Sequence, residues 1–98
     1  MLKITVLYGH PTDPDAFDTY YAETHTPLVQ KTSNITRFEV AKVLPGPDKP
    51  PYYFIAELYF EDQAHMRDAL RSPEGRAMNA DVPNFATGGV TNLISEVK

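Results

Sequence analysis

Residues 17–28 read Phe17-Asp18-Thr19-Tyr20-Tyr21-Ala22-Glu23-Thr24-His25-Thr26-Pro27-Leu28, and their spacing sets the first helical segment of the chain. Counted from Phe17, the residues Tyr20, Tyr21, Thr24 and Leu28 fall at offsets of three, four, seven and eleven, one continuous stripe on a helical surface. A start signal precedes the stripe. Asp13 stands at the N-cap and Pro14 at the first helical position, where a missing N–H costs nothing. Pro27 is expected to kink or restart the helix near Thr26.

Outward from this helix the chain alternates between strand and helix signals. Before it, Leu2, Ile4, Val6 and Tyr8 alternate with Lys3, Thr5 and Leu7, the two-residue period of a strand with one face in a core. After it, residues 35–44 read as a second strand, closed by Pro45-Gly46-Pro47-Asp48-Lys49-Pro50-Pro51, which cannot continue a ladder. Tyr52 to Phe60 carries five aromatics in nine residues and no turn former, so it is assigned as a central strand. Asp62 then caps a helix with an apolar stripe of Met66, Ala69 and Leu70, and Ser72-Pro73-Glu74 restarts a short one. Residues 81–89, with Pro83, Asn84, Gly88 and Gly89, read as a loop before a last strand from Val90 to Val97.

The order β-α-β-β-α-β predicts an α+β fold of the ferredoxin-like kind, with both helical layers on one face of a four-stranded antiparallel sheet. The other face needs a cover. Leu7, Phe38, Val40, Phe54, Leu58, Leu93 and Val97 put large apolar residues on both strand parities, and an identical sheet from a second subunit is the economical cover. A homodimer is therefore expected, each subunit a single domain spanning residues 1–98, since so short a chain encloses one core.

Composition removes several function classes. Nine Lys and Arg against thirteen Asp and Glu, net charge -4 with no basic block, argue against nucleic acid and anionic membrane surfaces as partners. The absence of cysteine excludes a disulfide framework, a thiolate nucleophile and thiolate metal sites. The N-terminal residues are too polar at alternate positions for a signal peptide, and no stretch approaches a membrane span, so a cytoplasmic location is expected. His10, His25 and His65 lie too far apart in sequence for a histidine metal motif, and Gly9-His10-Pro11 is no phosphate-binding turn. Neither a metal nor another cofactor is expected.

The run Phe17 to Leu28, with Tyr52-Tyr53 opening the third strand, Ser72-Pro73-Glu74-Gly75 and Asp81-Val82-Pro83-Asn84-Phe85, resembles the EthD family, named for a protein linked to ethyl tert-butyl ether degradation. The resemblance covers almost the whole chain and implies the dimeric α/β barrel superfamily. Proteins of that superfamily include cofactor-independent monooxygenases, isomerases, cyclases and haem-handling proteins, so the fold does not select a chemistry.

The residues themselves nominate a pocket. His25, four residues after Tyr21, is a candidate general acid or base, and its alternative role is a hydrogen bond that fixes the turn at Pro27. Asp81 is placed to orient His25, the alternative being a cap of its own turn. Tyr8, Phe17, Tyr20, Tyr21, Tyr53, Tyr59 and Phe85 are more ring than a core of this size needs, and His10 is a candidate base at the pocket rim. The substrate-binding set is thus Tyr8, His10, Phe17, Tyr20, Tyr21, Tyr53 and Phe85, with Glu57 a minor candidate and His65 assigned to solvent. Two functions fit. One is a catabolic enzyme without a bound cofactor, of oxidoreductase, isomerase or cyclase type, acting on a hydrophobic or aromatic molecule; the other is a non-catalytic carrier of such a molecule.

Overall fold

Alternation in the first strand finds its partner in the third. The computed structural model describes residues 1–98, and in it β1 (Leu2–Tyr8) lies antiparallel to β3 (Phe54–Phe60), Ile4 facing Leu58 and Val6 facing Ala56. With β2 (Arg37–Lys42) and β4 (Val90–Glu96) the order is β2-β3-β1-β4, a four-stranded antiparallel ferredoxin-like sheet. Helices α1 (Pro14–Tyr20), α2 (Thr26–Gln30), α3 (Gln63–Arg71) and α4 (Pro73–Asp81) supply the second layer. Asp13, Asp62 and Ser72 accept the N-cap hydrogen bonds that their positions call for, from Ala16, His65 and Gly75. Tyr8 and Phe60 are the largest fully buried side chains. They anchor the core between sheet and helices.

The strands are shorter than the sequence suggests. The second ends at Lys42 rather than Leu44 and begins at Arg37; the third begins at Phe54, although the Tyr53 N–H still donates to the Tyr8 carbonyl of β1. The last ends at Glu96, one residue early. The expected loop 81–89 is partly helical, since Asp81 closes α4 and Val82–Asn84 forms a 3-10 turn.

The larger correction is in the first helical segment. Between α1 and α2 runs a π-helical turn, Tyr21–His25, in which the Thr26 N–H reaches the Tyr21 carbonyl five residues back. Pro27 has no N–H for the Glu23 carbonyl, so this wider turn forms where the regular ladder would lose a bond. The buried face consequently runs Phe17, Tyr21, His25, Val29, while Thr24, expected on the stripe, is exposed. Steps of four residues drift about 40° each around an α-helix, and the π turn absorbs the drift. His25 is thereby carried inward.

The register also revises the two-faced reading of the strands. Phe38, Val40, Phe54 and Leu58 all share the helix-side parity with Ile4. On the far face Leu7 and Leu93, joined by Ile55, lie among Lys3, Arg37, Glu39 and Glu57. That face is mixed rather than apolar. Glu57 there holds Lys3 at 2.8 Å.

Candidate functional site

The site grows from the π turn. It directs the buried His25 toward the end of α4, where its Nδ1 lies 3.0 Å from Oδ2 of the buried Asp81. The other carboxylate oxygen accepts from the Tyr20 hydroxyl at 2.5 Å and from Asn84 Nδ2 at 3.0 Å. Burial works to raise the Asp81 carboxyl, but the hydrogen bonds from Tyr20, Asn84 and His25 outweigh it and hold the group below the usual carboxylate range. The carboxylate is ionised and can only accept, so His25 Nδ1 carries the proton and Nε2 presents its lone pair. Burial also lowers the pKa of His25, against an opposing pull from Asp81, so the ring is neutral at pH 7.

Nε2 has no hydrogen-bond partner in the chain, and no sealed side-chain nitrogen or oxygen is left without one. The lone pair therefore opens into the cavity that His25 helps to line. This cavity, of about 410 Å³, lies between the helix-side face of the sheet and the segments α2, α4 and Val82–Pro83. Its walls are mostly apolar, and the size is that of a small-molecule site. Tyr8 and Tyr21 line it as well, buried, with their hydroxyls paired with each other. Their rings stand 5.8 Å apart, edge to face. Burial pushes the Tyr8 hydroxyl up to about 12, the neighbouring Tyr21 hydroxyl opposing and the Asp81 charge adding to it. Tyr21 is raised further by burial and by Tyr8. Both stay protonated at neutral pH.

The other nominated residues lie elsewhere. Phe17 and Phe85 are core; Phe85 stacks on Tyr20 and tilts against His25 at 4.7 Å, walling the histidine in. Tyr20 acts on Asp81 and does not face the cavity. Tyr53 is tied to Asp18 at 2.8 Å beneath the Lys42 ammonium, and His10 Nε2 donates to the Pro50 carbonyl at 2.7 Å. Both are spent on holding the proline loop and α1 to the sheet. His65 sits over its own helix start, paired with Asp62. Tyr59 lies on the far face, between Lys3 and Arg37.

Sequence reasoning missed Met78, Asn79, Val82, Pro83 and Asn92 in the cavity wall. Asn92 carried a signal, a polar residue on the core parity of the last strand. Asn79 carried none. No three His, Asp or Glu side chains gather in a way that would hold a metal ion.

The molecule is therefore a ferredoxin-like α+β protein with a helix-side cavity and a histidine–carboxylate pair at its inner end. The EthD domain matches residues 9–89, and the chain belongs to the EthD family. It is 45% identical over 97 residues to an uncharacterized 11.0 kDa protein of the thcB-thcC intergenic region of Rhodococcus erythropolis, covering 98% of this chain and 94% of that one. The crystal structure of an EthD family protein from Bacillus halodurans superposes with a TM-score of 0.94 at 32% identity, over 100% of this chain and 99% of that one. Two further structures share the fold alone. A dimeric ferredoxin-like protein from Thermobifida fusca has a TM-score of 0.76 at 12% identity, over 98% and 90% of the two chains. SnoaB, a cofactor-independent oxygenase from Streptomyces nogalater, has a TM-score of 0.68 at 12% identity, over 99% and 91%.

Proposed function

We propose that this EthD protein is a homodimeric small-molecule enzyme that uses His25 as a general base on a hydrophobic substrate bound in the cavity. One observation carries the reading: a buried Asp81–His25 pair that fixes the proton on Nδ1 and leaves Nε2 bare in an apolar cavity. Tyr20 and Asn84 position the carboxylate, which in turn stabilises the imidazolium formed when Nε2 takes a proton. The same residues need no bound cofactor for such a step, and chemistry of this kind is compatible with an oxidoreductase, an isomerase or a cyclase.

The carrier reading is supported by the largely apolar wall, which suits sequestration as well as catalysis. The two are separated by ligands found from thermal shifts with a panel of aromatic compounds, ketones and ethers, then tested for solvent deuterium uptake. A base predicts uptake in the wild type and loss in His25→Ala with binding kept within a few-fold. No uptake into any bound compound assigns the protein to the carriers.

The dimer reading rests on Leu7, Ile55 and Leu93 on the uncovered face and on the dimeric description of a fold neighbour. Leu93 is 51% exposed in the single chain, so Leu93→Asp should leave one subunit stable to within about 0.5 kcal/mol. Sedimentation should then show a dimer for the wild type and a monomer for the variant. A monomeric wild type at micromolar concentration removes this part of the proposal.

A further inference from the structure

The inner end of the cavity presents more than a base. Tyr8 projects from the end of β1 and Tyr21 from the start of the π turn, and both line the cavity beside His25, their hydroxyls paired with each other. The Tyr21 ring lies 5.0 Å from that of His25 and 5.8 Å from that of Tyr8, so the three polar groups belong to one cluster. Two hydroxyls that share one hydrogen bond keep one O–H without an acceptor in the chain. Beyond the cluster the wall is apolar, with Ile4, Val6, Ala56, Leu58 and Met78, until Asn79 and Asn92 at the exposed rim.

The chemistry of such a cluster is specific. It offers one free O–H donor, supported by a second hydroxyl, and one nitrogen lone pair, in a largely apolar setting. A plain hydrocarbon or an ether leaves at least the lone pair unused. A carbonyl group with an acidic C–H on the adjacent carbon uses both: the oxygen accepts the free O–H while the C–H faces Nε2. We infer, resting on the general-base reading above, that the substrate is an apolar enolisable carbonyl compound whose oxygen is held by the free O–H of the Tyr8–Tyr21 pair while His25 Nε2 removes the α-proton.

The step balances without any co-reactant. The α C–H bond breaks and its proton goes to Nε2; the electron pair becomes a C=C bond, and the carbonyl π pair moves onto oxygen as an enolate. The tyrosine pair, which remains protonated, donates its free O–H to the developing oxyanion, and a prearranged donor of this kind is worth about 100- to 1000-fold in rate. Return of the proton from the imidazolium to the same carbon, or to a conjugated one, completes an exchange or a tautomerisation with no change of oxidation state.

The test uses 2-tetralone, an apolar bicyclic ketone with acidic α-protons, in deuterated buffer, with thermal shift to report binding and proton NMR to report α-exchange. The wild type should bind it and accelerate exchange above buffer. Tyr8→Phe and Tyr21→Phe, which remove only an oxygen, should each slow exchange, by about 100- to 1000-fold for the hydroxyl that donates to the substrate, with His25 unchanged in its NMR signals. Loss of exchange in His25→Ala with full exchange in both tyrosine variants overturns the carbonyl inference and leaves the base intact. Full exchange in His25→Ala overturns the base as well. Failure of the wild type to bind or to exchange tetralone overturns the substrate class assigned here.

Discussion

Asp81→Asn should invert the proton arrangement of the site while leaving its shape in place. In the wild type one carboxylate oxygen accepts from Tyr20 at 2.5 Å and Asn84 at 3.0 Å, and the other faces His25 Nδ1 at 3.0 Å. An asparagine keeps its carbonyl oxygen on the first two donors, which forces the amide NH₂ toward Nδ1. An N–H cannot accept, so the histidine must give up its Nδ1 proton and carry it on Nε2. The cavity then meets a donor in place of a lone pair. Three charge-assisted hydrogen bonds become neutral ones, a loss of about 1 kcal/mol of stability for each. A base in the wrong tautomer loses about 10⁴ in rate by the precedent of other histidine–carboxylate pairs. The assay is ¹⁵N NMR of the His25 ring, backed by thermal unfolding. The wild type should show a protonated Nδ1 and a bare Nε2 at pH 7, and the variant the reverse, with the His25 pKa lower still because the only influence raising it has gone. Identical tautomers in the two proteins would refute the reasoning, as would an unfolded variant paired with a folded Asp81→Ala.

Acid should destabilise the fold in two stages. His25 has a folded pKa below its unfolded value near 6.5, so the unfolded chain binds more protons and stability falls as pH drops below about 6.5 toward the folded pKa; Asp81 is likewise depressed and adds a second loss below about 4. Melting temperature against pH should show the first stage in the wild type and not in His25→Gln. Tyr20→Phe removes the shortest hydrogen bond to Asp81 and should cost about 1–2 kcal/mol in urea unfolding, a smaller effect than that of Phe60→Ala, at about 3–5 kcal/mol. Equal losses would contradict the assignment of Phe60 as the center of the core. Gly75→Ala would set a methyl 1.9 Å from the Ala69 carbonyl oxygen, so the corner between α3 and α4 must open, at about 1–3 kcal/mol. A neutral melting temperature for that variant would show that the corner is looser than described.

Much of the architecture was legible because it is a local matter. The alternation of Leu2 through Tyr8 and the aromatic run into Phe60 fix strand parity, and Asp13, Asp62 and Ser72 mark helix starts through hydrogen bonds to residues three positions on. Asp81 facing His25 was nominated from sequence against the alternative of a capped turn, and the two side chains do meet. Where the reading went astray, the cause was a non-local choice. The substrate set named Phe17, Tyr53, Phe85 and His10, but aromatic count does not tell core from cavity, and the hydrogen bonds of Tyr53 to Asp18 and His10 to Pro50 depend on segments 35 and 40 residues away.

The sequence by itself determined the order of elements, the inward parity of β1 and β3, and the presence of a proline that disturbs the helix after Tyr21. Tertiary structure alone decided what that disturbance does. A proline removes one N–H from the ladder and crowds the carbonyl four residues back; whether the helix breaks, kinks or widens depends on which outcome best buries the side chains that follow. Here the widened turn places Tyr21, His25 and Val29 on one buried face and leaves Thr24 in solvent. The distance from His25 to Asp81 is set by the packing of that face against α4, across 56 residues of chain, which no local pattern encodes.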